Sequence, residues 1–188
     1  MTNGVFSDFE VDQIGIKLKS AEAYQPMNCV GSAEEEMEAK TVTKSCRGVV
    51  VKKIVHGTGN GTVKVTAHTP WALYTGFYGM TLDTLLEGVK AYGRNSKHEA
   101  FSVVMHITDE DGEEKLKAYP NCIMETGLVR KIENGAEEVA ELELEFSVMP
   151  DEHGNGMYEA LVSELKDDNV KNTWLTAFEP ALVQVASA

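Results

Sequence analysis

Glu141-Leu142-Glu143-Leu144-Glu145-Phe146-Ser147-Val148 places a carboxylate at every second position and an apolar side chain between each pair. Alternate residues of a strand share a face, so this stretch predicts a strand with one buried side and one wet side. On the wet side Glu141, Glu143 and Glu145 stand about 6.6–6.8 Å apart. An ordinary solvent face explains them, and so does a face lining an aqueous channel formed by several copies. Upstream, Asn134-Gly135 is a hairpin signal between 128–132 and 139–148. Downstream, His153-Gly154-Asn155-Gly156 turns the chain into a strand over 157–165.

The same alternation recurs toward the N-terminus. Phe101, Val103, Met105 and Ile107 alternate with Ser102, Val104 and His106, and Asp111-Gly112 turns into a strand over 115–124. Pro120 cannot donate to a ladder and marks an edge or a bulge in that strand. Val63, Val65 and Ala67 alternate with lysine and threonine, and the β-branched run 49–55 reads as a further strand. The glycine-rich stretch 56–61 between them is expected to be a hairpin connection. Ile14, Ile16 and Leu18 mark a strand over 5–18. Only Leu82, Leu85, Leu86 and Val89 recur at helical spacing, with Thr81 as N-cap and Gly93 as stop, so a helix is expected there. Short strands separated by regular turns predict a mainly β fold of two packed β-sheets, a sandwich or split barrel, with one flanking α-helix and extended loop arms. The β domain is placed at 1–165. Within it, 19–46 forms a long polar loop that reads as helix (Ser32 and Glu35 make a capping box) or as extended strand. Residues 166–188 are expected to be a C-terminal arm or loosely packed terminus.

The chain has 188 residues, 43% of them apolar and 25% charged, the balance of a folded protein able to bury a core without disulfides or metals. No apolar run reaches the 18 residues needed to span a bilayer, and the N-terminus lacks the basic and apolar regions of a secretory signal, which predicts an intracellular product with no membrane partner. The net charge of −13 repels a phosphate backbone, so nucleic-acid gripping is not expected.

The residues that carry chemistry elsewhere are unhelpfully arranged here. Cys29, Cys46 and Cys122 are odd in number and widely spaced, against a disulfide framework or a metal knuckle. The five histidines form no ligand pair, and no Gly-x-Ser-x-Gly elbow is present. Gly57-Thr58-Gly59-Asn60-Gly61 resembles a phosphate loop, but a strand follows where a helix N-terminus is required. Asp109-Glu110-Asp111-Gly112-Glu113-Glu114 lacks the glycine position and flanking helices of a calcium loop and reads as an acidic hairpin tip. No catalytic residue, cofactor or metal is therefore expected. A binding platform of Trp71, Tyr74, Phe77 and Tyr78 stays open on condition that the rings are exposed.

Strands, then His68-Thr69-Pro70-Trp71-Ala72-Leu73-Tyr74 leading through Gly76 and Gly79 to one helix, then two hairpins, is an order that resembles the tail tube (major tail) proteins of long-tailed bacteriophages. The resemblance spans roughly residues 5–165. It implies a non-enzymatic virion protein, assembled in the host cytoplasm, whose copies close into hexameric rings stacked as a hollow tube. Its implied partners are copies of itself, the tape measure and tail terminator proteins, and genomic DNA that passes without specific binding. It further implies that 19–46 corresponds to an inter-ring loop and that Glu141, Glu143 and Glu145 face the lumen. A related secretion-tube protein, another tail component, or a monomeric β-sandwich binding module are the alternatives.

Overall fold

The computed structural model describes residues 6–27, 29–130, 135 and 141–185. Its strands are β1 (Glu10–Leu18), β2 (Gln25–Met27), β3 (Val30–Cys46), β4 (Val49–Ala67), β5 (Phe101–Thr108), β6 (Glu114–Met124), β7 (Leu142–Val148) and β8 (Tyr158–Leu161). Two helices, α1 (Trp71–Phe77) and α2 (Asp168–Ala177), and a 3-10 turn at Pro180–Val183 complete the elements. The expected mainly β class is what the chain adopts.

The two packed sheets expected from the strand count are instead one antiparallel sheet of eight strands, ordered β2-β1-β5-β6-β7-β4-β3, with β8 also on β6. The reason lies in β6, which pairs along two different neighbours. Its Lys115–Ala118 half pairs with β8 and its Cys122–Met124 half with β7. The sheet forks there and coils, until Glu35 on the end strand β3 reaches back to Lys117 and Tyr119 on β6. Pro120 lies in β6 where the β5 register shifts, the bulge its missing N–H demands.

The inner face holds the main core: Ile14 and Ile16, Val63 and Val65, Val103 and Met105, Tyr119 and Met124, Leu144 and Phe146, with Leu73 and Phe77 of α1 packed on it. A second cluster covers the opposite face of β5 and β6, where Val104, Leu116 and Ala118 meet Val170 and Trp174 of α2 and Phe178 beyond it. The C-terminal stretch is thus packed against the sheet rather than loose. Asp167 caps α2 by accepting the Asn169 N–H at 2.8 Å, and the Trp174 indole N–H donates to the Lys117 carbonyl at 3.0 Å. Gly15 lies beneath this cover, with Val104, the Leu175 carbonyl and Tyr24 around the place a side chain would occupy.

Two further expectations change. The helix expected at 81–93 is an irregular loop with isolated turns, and the helix is α1, opened by Pro70. The glycine-rich stretch 56–61 is not a hairpin turn but part of β4, whose register slips between Met37↔Gly61 and Ala39↔Gly57. Gly59 takes φ +77° in that bulge, a conformation glycine adopts at little cost. The true turn lies at Arg47-Gly48, with φ +51° and +83°, joining β3 to β4. Two consecutive positive φ values match the type I′ turn of a tight hairpin.

Candidate assembly surfaces

β3 and β4 outrun every neighbour. β4 pairs with β7 only over Gly61–Ala67, whereas β3 and β4 pair with each other out to Cys46↔Val49. Residues 39–57 therefore form a free two-stranded ribbon, roughly 25 Å long at about 3.3 Å per residue. No side of it is covered: Val42, Val49, Val50, Val51 and Val55 are all half exposed or more. Directly paired residues share a face, so Lys40/His56, Val42/Ile54 and Lys44/Lys52 stack along one side, an apolar pair framed by cations.

The segment 19–46 thus divides into two parts. Its first part belongs to the body: β2 pairs with β1, Met27 is buried, and Val30, Ala33 and Met37 pack on the core. Only the part beyond Met37 projects, as half of the ribbon.

Glu143 and Glu145 stand on the outer face of β7, with Leu144, Phe146 and Val148 buried on the inner face, the alternation the sequence displays. Their cross-strand partners are Thr66 and Lys64 on β4, and these in turn face Ser32 and Glu34 on β3. Lys64 pairs with Glu145 at 3.4 Å. Glu141 immediately precedes β7, and its carboxylate fills the space beside Gly31 that a side chain there would take. The three glutamates therefore lie on one carboxylate-rich face shared with β3.

Inside the coiled sheet one polar group stands out. Lys117 is almost fully buried on the inner face, where Glu35 accepts from both its ammonium and the Tyr119 hydroxyl, with Glu159 at 3.7 Å. Burial and the neighbouring Glu35 carboxylate push the Tyr119 phenol far above its usual range. Sequence reading missed this triad because Glu35 sits in a run of three glutamates, and only the pairing of β3 with Val63 turns it inward. A cleft of about 470 Å³ adjoins it, lined by Phe9, Val11, Glu34, Met105 and Ile107 among others.

The remaining candidates resolve into structural roles. Asp109 holds the acidic tip by accepting the Asp111 and Glu113 N–H groups at 2.9 and 2.7 Å. Burial pushes the Cys122 thiol up, while Cys29 and Cys46 are exposed. Of the expected aromatic platform, Tyr74, Phe77 and Tyr78 are core and only Trp71 is exposed, with the Arg130 guanidinium over its ring at 5.4 Å. Burial lifts Tyr78 to about 12. Among the described residues no group of three or more histidines, cysteines or carboxylates is arranged to hold a metal, and no helix is long and apolar enough to cross a membrane.

No family model and no curated protein matches the chain. Among solved structures it is similar to the tube terminating cap of the anti-feeding prophage, determined by cryo-EM. The similarity has a TM-score of 0.47 at 9% identity and covers 86% of this chain and 100% of that one. At that level the likeness assigns nothing to this chain.

Proposed function

We propose that this chain is a non-enzymatic structural subunit that assembles with copies of itself into hexameric rings, stacked as the hollow tail tube of a bacteriophage and conducting its DNA. The observation that carries the self-assembly reading is the ribbon of residues 39–57. A lone two-stranded hairpin is marginal in water. One that exposes five valines along about 25 Å gains stability when a neighbouring chain covers it, at about 25 cal/mol per Å² of apolar surface removed from water. Heterologous contact of this kind, an arm of one copy on the body of the next, closes rings or propagates tubes. The tube identity itself rests on the sequence resemblance to the tail tube proteins, in whose order of strands, helix and strands α1 at Trp71–Phe77 takes the place of the helix expected at 81–93. Within it, Glu141, Glu143 and Glu145 line the lumen, where carboxylates let phosphates pass without sticking.

The test shortens the ribbon and leaves the body alone. Replacing residues 40–56 by a two-residue Asn-Gly turn removes no buried side chain. The shortened protein is expected to melt within a few degrees of the parent and to form no tubes by electron microscopy. Tubes of normal length from the shortened protein would refute the ribbon as the connecting device.

A further inference from the structure

The ribbon and the rest of the molecule carry opposite charge. Residues 39–57 contain Lys40, Lys44, Arg47, Lys52 and Lys53 and no aspartate or glutamate. Setting those five cations aside takes the remainder of the chain from −13 to −18. Lysine on an exposed strand commonly serves only to prevent edge-to-edge aggregation. Here that explanation is insufficient, because everywhere else this chain keeps itself soluble with acid, 30 carboxylates against the other 12 basic residues. Among the described residues none of the five ribbon cations has an acidic partner within 4 Å; on the body Lys17, Lys64, Lys115 and Lys117 are paired, while Lys19, Lys90, Arg94, Lys97, Lys166 and Lys171 are not.

The placement of those cations is that of a contact surface. On one face Lys40, His56, Lys44 and Lys52 frame the pair Val42/Ile54, an apolar centre with a charged rim. Resting on the self-assembly reading above, we infer that this face docks on a carboxylate-bearing surface of a second copy of this chain, with the ribbon lysines supplying the attraction. The body of a second copy has the complementary charge and is present at the same concentration. Two copies at −13 each repel in bulk, so the local positive arm also orients their encounter.

The experiment compares self-association of the full-length parent with two triple variants that change only the cations of this face, Lys40, Lys44 and Lys52 all changed to Gln, or all changed to Glu. Sedimentation velocity is run at about 50 mM and about 1 M salt, where the screening length falls from well above 10 Å to about 3 Å. At low salt the parent is expected to associate most tightly, the Gln variant less, and the Glu variant at least about tenfold more weakly, with melting temperatures unchanged. At high salt the gap between the three is expected to close, which a purely steric role for the lysine stems would not produce. Equal association of all three at low salt overturns this inference and leaves the self-assembly reading standing. A parent that does not associate at either salt, alone or with tail-initiation proteins, overturns both. Duplex DNA bound through these lysines, with self-association unchanged across the series, makes nucleic acid the partner and overturns the inference.

Discussion

Glu35 does work that its neighbours Glu34 and Glu36 do not. Its side chain is one-third exposed and accepts from two groups on β6, Lys117 and Tyr119, the first of which is only 5% exposed. Removing its charge leaves Lys117 buried beside Glu159, which stands at 3.7 Å. Losing one partner of a buried ion pair costs about 3–5 kcal/mol, and partial exposure together with the second carboxylate lowers this. Glu35→Gln is therefore expected to lose about 2 kcal/mol in denaturant unfolding, against less than about 0.5 kcal/mol for Glu34→Gln on the wet face. Equal small losses would mean that the triad does not hold β3 to β6.

Among the elements, α2 is the one whose weight the sequence concealed. Val170, Trp174 and Phe178 recur every four residues after the capping Asp167, a signal present but too short to stand out in a polar stretch. Trp174 is 2% exposed at the centre of the second cluster. Trp174→Ala is expected to cost about 3–5 kcal/mol of stability, and a loss below about 1 kcal/mol would return 166–188 to the status of a detachable arm. The opposite error occurred at 81–93, where Leu82, Leu85, Leu86 and Val89 have helical spacing but Gly88 takes φ +84°, outside the helical region, and Leu86 is 83% exposed. That glycine inside the periodic run was the legible warning. Strands with one wet face, such as β7, could be read directly from period two. Residues whose role depends on which strand lies beside them, Glu35 and the fork at β6, could not, because cross-strand partners up to 84 residues apart decide them.

At the scale of the whole molecule an uncovered ribbon is joined to an acidic face. The carboxylate face of Glu141, Glu143 and Glu145 is wet in the single chain, so changing all three to Lys is expected to preserve the fold, with a small penalty where Glu145→Lys meets Lys64. In a phage carrying this protein as its tube, the change is expected to slow DNA ejection by creating phosphate contacts. Normal ejection from assembled tails would remove these residues from the lumen. Whether copies assemble at all decides the rest, and one measurement addresses it: negative-stain electron microscopy of the purified full-length protein over rising concentration, with and without tail-initiation proteins. Hollow rings or tubes with six-fold end views are expected; a chain that stays monomeric to about millimolar concentration, a free-energy gain on contact weaker than about 4 kcal/mol, in both settings would contradict self-assembly.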